Sequence, residues 1–186
     1  MLVGGCYRRS SMSGPAASIL LRCALDADCV REVRDAIRDL ASRVSGDDFW
    51  VEDRPFVVVL GPENREDLEL LQAGLSALLG WTPRDVLTVA AMCNQEVDHR
   101  LLGELCLRLA TQLGGIVSFG GSLPGRGVLP RDRPSAPLRE ENVDGLAGTL
   151  FTLSQLTVND EYATTHLGDV ELLRAWLKHP HFRMLK

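Results

Sequence analysis

The sequence contains little of what marks several classes of protein. Its five cysteines include no CxxC pair, whereas structural zinc sites and disulfide frameworks use paired, regularly spaced cysteines. No apolar run approaches the roughly 20 residues that cross a bilayer. The net charge of −5 disfavours a nucleic-acid-binding protein. These absences predict a cytoplasmic protein with no metal, no cofactor, no membrane partner and no nucleic-acid partner.

The chain does contain the proportions of an ordinary globular domain. Of its 186 residues, 45% are hydrophobic and 24% are charged, which provides enough apolar material for a single core. We expect residues 13–186 to form that domain and residues 1–12 to be a flexible N-terminal tail. Only two of the 20 basic residues, Lys178 and Lys186, are lysines. This bias towards arginine is typical of a GC-rich genome and indicates a bacterial protein.

The stretch from residue 86 to residue 122 predicts a strand, a helix and a second strand. Leucines at helical spacing predict one apolar helix face, and they are Leu101, Leu102, Leu105, Leu109 and Leu113. Asp98 is the expected N-cap, and Gly114 is expected to end the helix. The flanking apolar segments, residues 86–92 and 116–119, are expected to pair in parallel, because the residues between them suffice for a crossover helix.

Similar patterns place the remaining elements. Further strands are expected at residues 16–23, 49–52, 56–60, 149–156 and 162–167, and further helices at residues 26–44, at residues 66–79 and after Asp169. Turns are expected at residues 53–55 and 159–160. This order of elements predicts an α/β domain, with α+β as the alternative, in which helices pack on one mixed sheet.

Residues 120–145 interrupt these patterns. The segment contains four of the nine prolines and no helical period, so we expect a long loop rich in proline and glycine. Its glycines fit a phosphate-binding loop poorly, because such a loop leads directly into a helix. Four arginines could bind an anion, although interleaved acidic residues favour a solvated loop. These arginines are Arg126, Arg131, Arg133 and Arg139.

One group of polar residues lies where a strand should meet the central helix. Cys93, Asn94, Asp98 and His99 are close together in the sequence. A thiol beside an imidazole is the arrangement of a nucleophile and its base, and Asp98 could orient the ring. Cys93 and His99 are therefore the candidate catalytic residues. The alternative is that Cys93 is a small buried apolar side chain.

The same stretch is also a candidate for partner binding. His99 and Arg100 should lie in the first helical turn, where the helix dipole disfavours cations. Arg100 could form an ion pair elsewhere on the surface, or both residues could face a partner or an anion. Under the second interpretation, the partner-binding residues are Asn94, Asp98, His99 and Arg100.

Two other sets of side chains are expected to be structural or solvated. His166, His179 and His181 do not have the spacing of a known metal-ligand set. The acidic pairs at residues 47–48 and 140–141 lack apolar neighbours that would separate their pKa values for acid–base chemistry. Neither set predicts a reaction.

Residues 80–121 and 169–186 resemble a family of uncharacterised bacterial domains. The motifs that carry the resemblance are Ala91-Met92-Cys93-Asn94, Asp98-His99-Arg100, Phe119-Gly120-Gly121 and Ala175-Trp176-Leu177. The similarity extends over residues 13–186, and the family itself resembles immunity proteins of polymorphic toxin systems. Relatives more often have an aspartate where this chain has Ser118, so any role of that carboxylate is absent here. The resemblance implies no catalytic residues.

These observations predict a non-catalytic cytoplasmic protein that binds and neutralises a cognate toxin. The prediction depends on the resemblance and on the acidic charge, which suits a basic protein partner. The alternative is a small hydrolase or transferase that uses Cys93 and His99. The sequence does not indicate an oligomeric state.

Overall fold

Four helices pack on one nine-stranded sheet in the part of the chain that the structure describes. The structure is a computed structural model that describes residues 14–60, 65–121, 123, 139–141, 145–156, 162–180 and 182–184. The strands are β1 Ala16–Leu21, β2 Arg43–Ser45, β3 Asp48–Val51, β4 Arg54–Leu60, β5 Asp85–Ala91, β6 Ile116–Ser118, β7 Arg139–Glu141, β8 Thr149–Leu156 and β9 Tyr162–Gly168. The helices are α1 Ala27–Arg38, α2 Arg65–Leu79, α3 Glu96–Leu113 and α4 Val170–Trp176.

The sheet order is β2-β3-β4-β5-β1-β6-β9-β8-β7, and each neighbouring pair is antiparallel. The predicted class, one domain with helices packed on a sheet, is confirmed in its α+β form. The sheet is antiparallel in all its described pairs, however, and not mixed as expected. The predicted parallel pairing of β5 with β6 is wrong, because β1 lies between them. Ile19 of β1 pairs with Leu87 on one side and with Val117 on the other. The length of a crossover helix does not determine how many strands it passes.

The two faces of the sheet bury separate apolar clusters. Helices α1, α3 and α4 pack on one face, where the alternate β1 residues Ala17, Ile19 and Leu21 point. Helix α2 packs on the other face, where Leu20 contributes to a smaller cluster. The predicted leucine face of α3 is confirmed, since four of its five leucines are buried and the fifth packs against the core.

Turns and helix ends differ from the sequence predictions in detail. Helix α1 ends at Arg38 rather than near residue 44, because residues 43–45 instead pair with β3 as strand β2. Gly46, with φ of 65°, turns the chain between these two strands. The β3–β4 hairpin is confirmed, but its turn consists of Glu52 and Asp53, both with positive φ. That pair of angles is the signature of a two-residue type I′ loop. The turn places Arg54 at the start of β4.

The region after β6 contains one element that the sequence did not predict. Residues 139–141 form the edge strand β7 and pair with β8, so part of the expected loop at 120–145 is a strand. Of the rest of that loop, the structure describes only residues 120, 121, 123 and 145. The expected tail at residues 1–12 lies wholly outside the described residues. The β8–β9 hairpin is confirmed, whereas its expected turn at 159–160 is outside the described part. Within the described ranges, no helix has the length and hydropathy of a transmembrane span.

Candidate functional site

The first turn of α3 is organised by a capping box. Gln95 is the N-cap, so the predicted N-cap Asp98 is wrong by one turn and is residue N3. Its carboxylate accepts a hydrogen bond of 2.7 Å from the backbone N–H of Gln95, and its own backbone N–H donates to the Gln95 carbonyl. The bond to the Asp98 carboxylate satisfies an amide group that a helix start leaves free, as the acidic residue of a capping box does. Asp98 therefore fixes where α3 begins.

A bidentate ion pair joins this helix start to the sheet. The guanidinium of Arg54 donates from Nε to Asp98 Oδ1 and from Nη2 to Asp98 Oδ2, both at 2.7 Å. The Asp98 side chain has no exposed surface, whereas 24% of the Arg54 side chain is exposed. The hydrogen bonds from Arg54 hold the pKa of Asp98 below its usual value, although burial acts in the opposite direction. Asp98 is thus a buried carboxylate whose negative charge is paired with the Arg54 guanidinium.

His99 is buried beside this pair and contacts the end of the chain. Only 3% of the residue is exposed. Its Nδ1 lies 2.8 Å from the carbonyl oxygen of Met184, so Nδ1 carries a proton and donates. Its Nε2 lies 3.0 Å from Asn94 Oδ1 and 3.4 Å from Arg183 Nε. Each ring nitrogen therefore already faces at least one polar group.

The surroundings of His99 favour its neutral form. Burial is the main cause that lowers the pKa of His99, and the positive charge of Arg183 lowers it further. The Met184 carbonyl and the Asp98 charge oppose that change. A neutral ring that donates through Nδ1 can accept the Arg183 Nε–H at Nε2. For the neutral ring, the Asn94 amide must also turn its nitrogen towards Nε2.

Cys93 does not join this hydrogen-bond network in the part of the chain that the structure describes. It follows β5 and is half-buried. The ring nitrogens of His99 face Met184, Asn94 and Arg183 instead. A base must reach the proton that it removes. The Cys93/His99 dyad is therefore not assembled here, and catalysis by it stays a prediction.

The predicted partner-binding residues separate into a buried set and an exposed set. Asp98 and His99 are buried, whereas Asn94 and Arg100 are exposed. Arg100 donates to Glu104 Oε1 at 3.1 Å, with 72% and 52% of the two side chains exposed. Val97, which is 38% exposed, is one of the large apolar side chains on the surface. Asn94, Val97 and Arg100 are named here the Arg100 surface.

Arg54 and Arg183 are the site residues that the sequence analysis missed. They lie 44 and 84 residues from the side chains that they contact, Asp98 and His99. No periodicity or motif connects positions so far apart. The sequence analysis placed Arg54 in the expected turn at residues 53–55, whereas Arg54 begins β4.

The histidines considered as metal ligands have other surroundings. His166 is buried, and its Nδ1 accepts from the Leu123 backbone N–H at 2.9 Å. His179 stacks on Trp176 with the ring centroids 4.7 Å apart. His181 lies outside the described residues. Over the ranges that are described, no three potential ligands group around a common point.

Acidic residues away from α3 have structural or solvated positions. Asp47 and Asp48 are exposed in the β2–β3 hairpin, and residues 140–141 belong to β7. Asp85, which the sequence analysis did not single out, is buried. Its carboxylate accepts from the backbone N–H groups of Leu25 at 3.1 Å and Val86 at 3.0 Å. It therefore ties the segment after β1 to the start of β5.

The fold and the site define a class of protein: a single domain on an antiparallel sheet, with a buried polar cluster at the start of its central helix. The chain belongs to a family of unknown function, DUF6368, whose model matches residues 13–186. No match to this chain was found among curated proteins or among solved structures. The expected membership of an uncharacterised family is thus confirmed, and the family assigns no role to any residue.

Proposed function

We propose that this protein is a non-catalytic binding protein and that the Arg100 surface contacts its partner. One observation carries the proposal: the side chains most suited to chemistry, Asp98 and His99, are buried and held by several hydrogen bonds. Such side chains support the residues around them. The exposed residues at the same helix start are then the ones that can meet another molecule.

The composition of the Arg100 surface suits protein binding. Val97 and Arg100 are three residues apart on α3 and therefore lie on neighbouring turns of one face. An exposed apolar side chain beside an arginine resembles the centre of many protein interfaces. The ion pair of Arg100 with Glu104 is exposed and contributes little to stability. Arg100 can therefore exchange Glu104 for a carboxylate of a partner at small cost.

A cognate toxin is the partner that we propose, because the sequence resembles a family similar to immunity proteins. A stable complex of that kind buries roughly 1,200 to 2,000 Å² in total, so the Arg100 surface would be one part of a larger interface. The net charge of −5 would speed encounter with a basic toxin at low ionic strength. The proposal therefore includes a salt-dependent association rate.

Co-expression with a toxin encoded by a neighbouring gene tests this proposal. The parent protein should restore growth, and Val97→Asp combined with Arg100→Glu should lose both protection and toxin binding. Arg108→Glu is the matched control, because Arg108 lies on the same helix and forms an exposed pair with Asp39. Equal protection by the parent and the double variant would reject this surface. Failure of the parent to bind or protect would reject the toxin as partner.

The alternative function, a small hydrolase or transferase, requires Cys93 and His99 to react together. The contacts of His99 do not favour it. Cys93→Ala in any assay that detects turnover by the protein would decide the question, since loss of turnover would restore the dyad as the reactive pair.

A further inference from the structure

We propose that residues 182–184, named here the C-terminal strap, are held on α3 by neutral His99 and are released when His99 takes up a proton. The strap would then be a pH-sensitive element built into the fold. This inference does not depend on the proposed partner.

The strap is docked by several specific contacts. Met184 is only 1% exposed although it lies close to the end of the chain. The Arg183 carbonyl accepts from Trp176 Nε1 at 3.4 Å, and the Phe182 N–H donates to the His179 carbonyl at 2.9 Å. Gly103 makes room for the Phe182 ring, because a Cβ at position 103 would lie 2.6 Å from Phe182 Cζ. The strap therefore packs against a complementary surface that includes α3.

Neutral His99 bonds to the strap through both ring nitrogens. The Nδ1–H donates to the Met184 carbonyl oxygen at 2.8 Å. The lone pair on Nε2 can accept from Arg183 Nε at 3.4 Å. Two consecutive strap residues are thus fixed by one imidazole, and the second of these contacts requires the neutral ring.

Protonation removes that second contact and introduces repulsion. Charged His99 has no lone pair on Nε2, so it cannot accept from Arg183. Two positive groups then lie 3.4 Å apart, with His99 only 3% exposed, and like charges in such a setting repel strongly. Asn94 Oδ1, 3.0 Å from Nε2, can accept the new proton. The charged ring therefore keeps Asn94 as a partner outside the strap, once the Asn94 amide has turned, while its hydrogen bond from Arg183 is lost.

The charged groups near His99 are those of Asp98, Arg54 and Arg183. Asp98 on α3 favours the charged ring, but the Arg54 guanidinium from β4 neutralises it through two bonds of 2.7 Å. Arg183 from the strap opposes the charged ring. Because burial lowers the pKa of His99, release of the strap requires a pH below about 6.5, which is the usual pKa of histidine. Moving the strap into solvent hydrates the ring and separates it from Arg183.

Amide hydrogen exchange of the full chain at pH 7.5 and pH 5.5 tests the proposal. Exchange rates are corrected for their intrinsic pH dependence, and the amides of β5 report any global unfolding. The strap amides of the parent should lose protection on the order of tenfold at pH 5.5, while the β5 amides keep theirs. His179→Gln, which changes a histidine beside the strap but leaves His99 in place, should behave as the parent does.

Two variants separate release by His99 from other effects of acid. In His99→Gln the strap protection should not change with pH, whatever its absolute level. In Arg183→Gln, an exposed position where folding is not at risk, the pH effect should be much reduced because the repulsion is absent. The proposal is overturned by a parent strap that is insensitive to pH, by equal loss in β5, or by variants that respond to acid as the parent does.

Discussion

The start and the middle of α3 are held in place by different forces. In the middle, Leu102, Leu105 and Leu109 are almost fully buried in the main core. At the start, Asp98 and His99 are just as buried, but they contact Arg54, Asn94, Arg183 and Met184 through hydrogen bonds and an ion pair. One helix thus combines an apolar face with a buried polar cluster.

The comparison shows what each region can tolerate. Apolar burial has no preferred direction, so a leucine needs only a space of suitable volume. A buried charge or imidazole needs particular atoms at bonding distance, and removal of one partner leaves the other unsatisfied. We therefore expect the leucine face to accept apolar replacements of similar size and the polar cluster to accept very few single replacements.

The largest expected effect is in the leucine face. Leu105→Ala should lower the free energy of unfolding by about 2 to 5 kcal/mol, because it leaves a cavity in a residue position that is 2% exposed. Leu105→Met, which nearly conserves volume, should cost less than about 1.5 kcal/mol. Urea denaturation of both variants measures the difference. An unchanged midpoint for Leu105→Ala would show that this leucine is not in the core.

The polar cluster should be comparably sensitive to the loss of one partner. Asp98→Ala removes the carboxylate that caps α3 and pairs with Arg54, and we expect a loss of about 3 kcal/mol. Replacing Arg54 and Asp98 together with apolar residues should cost less than Asp98→Ala alone, because no charge is left without its partner. Denaturation of the single and double variants compares them. A double variant that is less stable than Asp98→Ala would contradict the ion-pair account.

Stability should also depend on pH through His99. The pKa of His99 is lower in the folded protein than in the unfolded chain, where it is about 6.5. The stability that the neutral ring contributes is therefore fully present at pH values above about 6.5, and it is lost as the pH falls towards the pKa of the folded state. Between pH 7.5 and pH 5.5 the parent should therefore lose stability by at most about 1.4 kcal/mol per pH unit from this group. In His99→Gln this part of the slope should disappear. If acidification lowers the stability of His99→Gln more steeply than that of the parent, the expected direction of the His99 contribution is wrong.

The smallest expected effect on stability is at the Arg100 surface. Arg100→Ala and Val97→Ser should each change the free energy of unfolding by less than about 0.5 kcal/mol, because exposed positions away from special contacts seldom matter more. Thermal denaturation measures this. A large loss would show that these side chains support the fold and would remove the reason for assigning them to a partner.

Much of the fold could be predicted from the sequence, and the reason is periodicity. The leucines of α3, the alternating strands and the caps at Asp169 and Gly114 are local patterns, and the structure contains them. The position of β1 between β5 and β6 is not local, so the predicted pairing failed. The end of α1 was also misplaced, because Val44 follows helical spacing although it lies in a strand.

The polar cluster could be predicted only in part. The sequence identified Asp98 and His99 as unusual polar residues but treated them as exposed, because charged side chains are rarely buried without partners. Those partners, Arg54 and Arg183, come from distant parts of the chain, and one sequence contains no signal that joins them. The burial of Asp98 therefore depends on a tertiary contact with Arg54 that local sequence patterns do not encode.

A pair of double-mutant cycles tests most directly whether Asp98 belongs to a buried framework and Arg100 to a surface. The first cycle measures the coupling between Arg54 and Asp98, and the second measures the coupling between Arg100 and Glu104, the exposed pair on the same helix. The second coupling should be about 0.5 kcal/mol or less, and the first should be clearly larger. Equal couplings would contradict the division of α3 into a buried polar cluster and an exposed binding surface.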